Sequence, residues 1–439
     1  MTPTQLRAAE RRLERWLGEW LPLLGRADRR TQAGLYVRGL LLDGERKSIE
    51  PMVARLPGAE VQALRQFVNQ SPWGWEPVQQ ALTSRLVERL LPEAVLILDE
   101  TSFPKQGTHS VGVARQYCGA LGKTANCQVA VSVHLGTERA CVPLTWGLYL
   151  PEPWVSDRAR RAAARVPDEV GYRTKGALAL EALERVRRWG TGTRVVLADA
   201  GFGTSHEFRA ALTQAGFPYC VQVVAALKGW TAAPAPPGPP PYQGRGRPRR
   251  RPPRSHLPTP QALETIARTL PATAWRTVAW REGRRGPLCS RFARVPLWPA
   301  HRWTTSRALP PAPVELLIEW PREAPAPTKY WLADLRGQAL GPRRFVRLAK
   351  GRWRIEQDYR ELKDELGLDH FEGRSWPGWH HHVTLISMAY AFLALETLRK
   401  KNSTPDAPRR PAPPPGHAHS PRRLLPDLPA ALGSRQLMT

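Results

Sequence analysis

Hydrophobic positions change period along this chain. Leu6, Leu13, Leu17 and Leu21 recur at helical spacing and form one stripe, the pattern of an amphipathic helix. "TQAGLYVRGLLLDGE" and "AEVQALRQFVNQ" continue it, with basic residues on their outer faces. Residues 1–90 are therefore predicted to form an all-helical domain. DNA binding is a use it could serve, although no helix-turn-helix signature marks it.

Near residue 94 the pattern changes. "AVLILDETSF" is a short apolar run ending in acid, as a buried strand is. "SVGVARQYCG" and "CQVAVSVHLG" alternate β-branched residues between glycine turns, like adjacent antiparallel strands. "GALALEALERVRRWG" (176–190) predicts an amphipathic helix closed by glycine. "TRVVLADAGFG" (193–203) predicts a second buried strand ending in acid and a Gly-rich turn, and "SHEFRAALTQAG" restarts a helix. Strands alternating with helices predict an α/β core over 91–204. Residues 205–335 then offer strands with no long helix ("PYCVQVVAAL", "AWRTVAWRE", "SRFARVPLW", "VELLIEW") and read as a β-rich insertion. Within it, 231–260 is Pro-rich and arginine-studded, too polar to pack. Helix returns over 336–400 as the last part of the core. Residues 401–439 read as a second Pro-rich, disordered tail, and no internal repeat is seen.

Composition narrows the partners. The 439 residues carry 65 Lys+Arg against 38 Asp+Glu, a net charge of +27. Spread along the chain, that excess suits a polyanion, most simply nucleic acid, because each neutralised phosphate releases a counterion. A genome rich in G and C also inflates arginine and proline, so the charge alone does not decide. Five scattered cysteines with no CxxC pair argue against a disulfide framework or a zinc ribbon and fit a reducing cytoplasm. The start, "MTPTQLRAAERRLERW", lacks a signal peptide's apolar segment. "VTLISMAYAFLALETL" is interrupted by polar residues and predicts a buried helix rather than a membrane span.

Three carboxylates carry the candidate chemistry. Asp99 in "LILDET" and Asp199 in "VVLADAGFG" each stand at the end of an apolar strand. An ionised carboxylate there needs a counter-charge, and a divalent metal supplies one. Mg²⁺ is held by few carboxylates and shares its shell with water and phosphate. Two such ions can serve the attacking and leaving oxygens of phosphodiester chemistry, which calls for a third acid. "RWRIEQDYRELKDELG" (352–367) offers it. Ile355, Tyr359, Leu362 and Leu366 form a packing stripe. Arg352, Glu356 and Lys363 form a second stripe about 100° further round, while Glu361 and Glu365 point elsewhere. The plain alternatives are a turn or helix cap for either Asp and a solvated salt-bridged face for the helix. Glu100 faces away from Asp99 by strand alternation.

"LILDETSFPKQGTHSVGVARQYCG", "VVLADAGFG" and "RWRIEQDYRELK", in that order, resemble bacterial insertion-sequence transposases of the DDE type, whose core is an RNase H-like mixed sheet flanked by helices. The last segment resembles the Y-R-E-K signature group: Arg352, Glu356 and Lys363 match it, with Ala349 at the tyrosine position. The resemblance covers roughly residues 20–400, including the β-rich insertion, and leaves out the Pro-rich loop and tail. It implies that Asp99, Asp199 and Glu356 are catalytic and bind two Mg²⁺ ions, with Mn²⁺ able to substitute. It implies that Arg352, Lys363 and Lys105 contact DNA phosphate. Trp331 in "KYWLADL" then either stacks on a flipped base or sits in the core of a strand.

The implied partner is double-stranded DNA, as transposon ends and target, held by a homodimer on paired ends. The implied setting is bacterial, cytoplasmic and nucleoid-associated, with no membrane. Two rival readings stay open: a catalytically silent DNA-binding or regulatory descendant, and a metal-dependent nuclease that cuts without strand transfer. "HHH" (380–382) does not read as a metal site, because three adjacent histidines share no helix face.

Overall fold

The computed structural model describes residues 2–90, 93–234, 258–283, 286–300 and 312–403. The Pro-rich loop expected over 231–260 and the tail expected over 401–439 lie for the most part outside these residues. The chain divides into two compact units, Met1–Arg194 with Trp353–Thr439, and Val195–Arg352.

The first unit opens with five helices: α1 (Pro3–Trp20), α2 (Ala27–Leu41), α3 (Ile49–Val53), α4 (Val61–Asn69) and α5 (Trp75–Leu90). A capping box starts α1. The Thr2 side chain accepts from Gln5 N, and the Gln5 side chain accepts from Thr2 N. The end of α2 is closed from inside the protein: buried Lys47 points its ammonium at the Leu40 and Leu42 carbonyls, where a cation favours the helix dipole. Four strands follow: β1 (Val95–Pro104), β2 (Ala114–Cys118), β3 (Lys123–Gly136) and β4 (Cys141–Leu148). Long β3 is the spine. It pairs antiparallel with β1 on one side and with β2 and then β4 along the other. Short helices α6 (Glu152–Ser156) and α7 (Arg158–Ala163) lead to α8 (Lys175–Val186), which Thr174 caps.

The second unit is β5 (Val196–Ala198), α9 (Ala200–Gly203), α10 (His206–Gln214), β6 (Tyr219–Val223), β7 (Lys228–Trp230), β8 (Gln261–Ala262), α11 (Leu263–Thr269), β9 (Trp275–Gly283), β10 (Gly286–Pro299), β11 (Val314–Trp320), β12 (Lys329–Asp334) and α12 (Pro342–Lys350). β5 and β6 are parallel, and β6 continues antiparallel through β12, β11 and β10. β9 pairs with β10, and so does β7, which in turn pairs with β8. Leu263, Ile266, Leu316, Ile318, Tyr330 and Leu332 form an apolar cluster on this sheet. Lys350 at the end of α12 pairs with buried Glu319 and lies 4.7 Å from the Trp280 ring and 5.5 Å from that of Trp331. Ring faces attract a desolvated cation.

The chain then returns to the first unit as α13 (Trp353–Asp364) and α14 (Trp376–Ser403). α14 is the pillar of that unit, apolar nearly all round because helices and sheet both pack on it. Trp16 donates to the Met388 carbonyl (3.1 Å), Gln79 to Thr384 Oγ1 (2.8 Å) and Trp146 to Ser387 Oγ (2.9 Å). Arg12 forks onto Glu396, both bonds 2.6 Å. Among the described residues, no helix is long and apolar enough to cross a membrane.

The three histidines of α14 separate as their helical spacing requires. His380 stacks on Trp75, with ring centroids 4.5 Å apart. His381 stacks on Trp73 at 3.8 Å and places its nitrogens by the Val68 and Trp73 carbonyls. His382 meets Tyr36 and Leu368.

Candidate active site

Asp99 is not at a strand end. β1 runs five residues further, to Pro104, because "ETSFP" keeps the two-residue alternation with partners for each polar side chain. Glu100 turns to one face and pairs with Lys175 of α8 at 2.8 Å. Ser102, on that same face, receives Ala120 N and the Cys118 thiol. Asp99 lies on the opposite face with Ile97, Thr101 and Phe103. It is 7% exposed, and its Oδ1 accepts from Glu100 N at 2.9 Å.

That opposite face is the one α13 covers. Lys363 donates to the Ser102 carbonyl at 3.0 Å, and its ammonium lies 5.6 Å from the Phe103 ring. Burial lowers its pKa, against the pull of Asp369. Tyr359 shares a 2.7 Å hydrogen bond with Ser132, the residue opposite Asp99 in the β1–β3 register. The Tyr359 pKa is raised by burial first and by the negative charge of Asp99 second. Asp358 meets His134, opposite Ile97, at 2.9 Å. Stepping back along α13 thus steps back along β1. Exposed Glu356 lies in the first turn of α13, where a carboxylate favours the helix dipole.

A second group of polar side chains sits under this face. His134, Cys141 and Asp358 are buried, with ligand atoms all within 4.8 Å of one another. Asp358 also accepts from the Tyr390 hydroxyl at 3.0 Å, and Tyr390 reaches Glu361 at 2.9 Å. The carboxylate is thus shared by a strand histidine and a helix tyrosine, which makes it a clamp between α13, β3 and α14. Sequence reasoning missed Ser132, His134, Asp358 and Tyr359 as neighbours of Asp99. The signal was present in "VSVHLG", where Ser132 and His134 interrupt valines at a spacing of two.

Lys105 turns to another place. It donates to the Phe371 carbonyl at 2.6 Å and lines a cleft of about 530 Å³ with Arg46, His109, Asp369, Glu372 and Arg374. Burial pulls its pKa down to about 8, opposed by Asp369 and Glu372.

The remaining candidates belong to the second unit. Asp199 follows β5 and caps the single turn of α9, its Oδ1 accepting from Phe202 N at 3.3 Å. The cap is the plain role weighed for it, and it engages one carboxylate oxygen. Gly203 ends this turn against β6, where a Cβ would collide with the Gln222 carbonyl. Arg352 lies in the turn after α12, just ahead of Trp353, where α13 begins; the expected 352–367 helix is shorter at both ends. Trp331 corrects an expectation. It is 3% exposed in β12, between β11 and β6, and has no ring face to offer a base.

Residues 19–287 match the family described as DDE superfamily endonuclease. The chain belongs to that family. Its mixed α/β architecture, sheet with flanking helices, is of the RNase H-like class. A probable transposase for insertion sequence element IS701 from Microchaete diplosiphon is 32% identical over 189 residues. The aligned part is 42% of this chain and spans 46% of that relative's length. The family match includes Asp99 and Asp199 and stops before Glu356, so the case for Glu356 rests on its motif.

Proposed function

We propose that this protein is a DNA transposase that cleaves phosphodiester bonds at transposon ends and joins the freed ends to target DNA. The observation that supports it best is the packing of α13, the helix that carries Glu356, on the face of β1 that holds the nine-tenths-buried Asp99, with Lys363 tied to the Ser102 carbonyl and Tyr359 to Ser132. Family membership and the transposase relative point the same way.

Asp99, Asp199 and Glu356 are the proposed catalytic acids. The donor set is all carboxylate oxygen, which suits Mg²⁺ or Mn²⁺, two ions in the reading favoured here. When bound, such ions supply Lewis acidity to the attacking and leaving oxygens. In the first step water attacks phosphorus, and the strand's 3′-oxygen leaves with a proton as a hydroxyl. In the second that hydroxyl attacks another phosphodiester, so one P–O bond forms as one breaks. Lys363, tied to the Ser102 carbonyl, holds positive charge further along the same strand for a phosphate. Arg352 stands just ahead of α13 for the same task. Lys105 reaches DNA only by way of its own cleft. Tyr359, hydrogen-bonded to Ser132, fixes the distance of α13 from β1.

A homodimer bound to paired ends, in a bacterial cytoplasm, completes the proposal. The test is cleavage of a duplex carrying the element's own ends, with Mg²⁺ or Mn²⁺, by wild type and Asp199→Asn. Metal-dependent nicking lost in the variant supports the triad. Joined products then separate a transposase from a nuclease that only cuts. Tight binding without nicking by either protein favours a silent DNA-binding descendant.

A further inference from the structure

The β3–β4 hairpin brings two metal-ligating side chains to one face. His134 pairs with Pro143, and Gly136 pairs with Cys141. Positions 134 and 136 share a face by strand alternation, so Cys141, opposite Gly136, emerges beside the imidazole. Gly136 has no side chain to come between them, and a Cβ there would meet Ile97 at 2.6 Å and Cys141 Sγ at 3.6 Å. Helix α13 covers this face and brings a third donor, Asp358. His134 is 0% exposed, and Cys141 and Asp358 are each 5% exposed.

The three side chains converge. Asp358 Oδ2 lies 2.9 Å from His134 Nδ1, and Cys141 Sγ lies 3.9 Å from that same nitrogen. All three ligand atoms fall within 4.8 Å of one another. A tetrahedral ion with bonds of about 2.0–2.3 Å holds its ligands roughly 3.5 Å apart, close to this spacing. One ring nitrogen serves one partner at a time: Nδ1 either donates to the carboxylate or accepts from the thiol. A cation between the three takes a lone pair from each. Asp358 is also oriented for this, because its Oδ1 accepts from the Tyr390 hydroxyl at 3.0 Å, the kind of outer hydrogen bond that fixes a ligating carboxylate. A dication with one thiolate, one carboxylate and a neutral imidazole carries no net charge, which suits a buried place. Sulfur and imidazole favour Zn²⁺ over the Mg²⁺ or Mn²⁺ that all-oxygen acids take.

The geometry points to His134, Cys141 and Asp358 as a Zn²⁺ site that fastens α13 to the β3–β4 hairpin. On binding, the thiol releases its proton to solvent and the thiolate sulfur bonds the ion. Three protein ligands leave a fourth position for a water. This ion is distinct from those proposed for Asp99, Asp199 and Glu356, and the inference does not rest on the transposase reading. Its ligands come from positions 134, 141 and 358, so the paired local spacing of a zinc ribbon is not needed to build it.

The test uses the full chain, purified and assayed for metal. Wild type is expected to hold about one Zn²⁺ per chain, with a sulfur at about 2.3 Å and nitrogen or oxygen at about 2.0–2.2 Å by X-ray absorption. Chain produced in cobalt-supplemented medium is expected to show a thiolate-to-cobalt charge-transfer band. Cys141→Ala is expected to lose the ion and the band, and its thermal midpoint to fall by about 5 °C or more. Cys289→Ala and Asp99→Asn are expected to keep both. The wild-type measurements decide the matter even where Cys141→Ala does not fold. Wild type without zinc or cobalt above background, or with an all-oxygen shell, overturns the site and leaves hydrogen bonds as the whole clamp. A band that survives in Cys141→Ala places the ion elsewhere and also overturns it.

Discussion

His134 and Asp358 join strand β3 to helix α13 through a 2.9 Å contact between Nδ1 and Oδ2, and both side chains are buried. The pair ties the first half of α13, which carries Glu356, to the strand that pairs with β1. Removing one member of a buried, hydrogen-bonded pair leaves the other stranded. Asp358→Ala is expected to cost about 3–5 kcal/mol in denaturant unfolding. Tyr390→Phe, which removes the hydroxyl shared by Asp358 and Glu361, is expected to cost about 1–3 kcal/mol. A loss below 1 kcal/mol for Asp358→Ala would mean that α13 is held by its apolar stripe alone.

Glu356 and Glu361 lie on one short helix with opposite expectations. Glu356→Gln should abolish metal-dependent cleavage while duplex affinity is retained. Glu361 accepts from Tyr390 and Gln357, and a glutamine can keep the tyrosine bond, so Glu361→Gln should cut at near wild-type rate. Gel assays of nicking and of binding on the same preparations check both. A dead Glu361→Gln enzyme would invert the assignment of the helix faces.

Trp331 should behave as a core residue. Trp331→Ala is expected to lower stability by about 3–5 kcal/mol, the usual cost of emptying a buried aromatic site. Duplex affinity of the fraction that remains folded should be unchanged. Selective loss of DNA binding at unchanged stability would restore the base-stacking role.

Acid should unfold the protein partly through His382. Its Nδ1 shares a 2.8 Å hydrogen bond with the Tyr36 hydroxyl, and its Nε2–H donates to the Leu368 carbonyl at 3.3 Å, a pattern that the neutral ring satisfies. Burial holds its pKa down to about 3, helped by the nearby charge of Lys105. The unfolded chain takes up the proton near the ordinary value of about 6.5. The unfolded state therefore binds more protons between these values. This contribution is complete above about pH 6.5 and is lost as pH falls toward about 3, by up to about 1.4 kcal/mol per pH unit. His382→Gln should flatten the stability profile in that window relative to wild type.

The local elements were legible because each is set by nearby residues. The stripe of α1, the apolar runs of β1 and β5 and the amphipathic pattern of α8 all follow from spacing within a few positions. The candidate acids were legible for the same reason, as charges that interrupt apolar runs. What sequence could not give is which faces meet. Asp99 read as a strand end because "ETSFP" is polar, and the strand continues because β3 pairs with it as far as Pro104 while Lys175 and Cys118 meet its polar side chains. Trp331 read equally as reader or core until β6 and β11 were seen on either side of it. Asp358 was invisible as a clamp because its partners come from β3 and α14.

The hydrogen bond from Trp16 to Met388 joins positions 372 residues apart, and the Arg12–Glu396 fork repeats the join. During synthesis the opening helices leave the ribosome with their apolar stripe exposed and wait for almost the whole chain before α14 arrives to cover it. At roughly 5–20 residues per second that wait lasts tens of seconds. The nascent chain therefore carries that stripe uncovered until α14 emerges, and a message truncated before α14 leaves the opening helices without the partner they bury against.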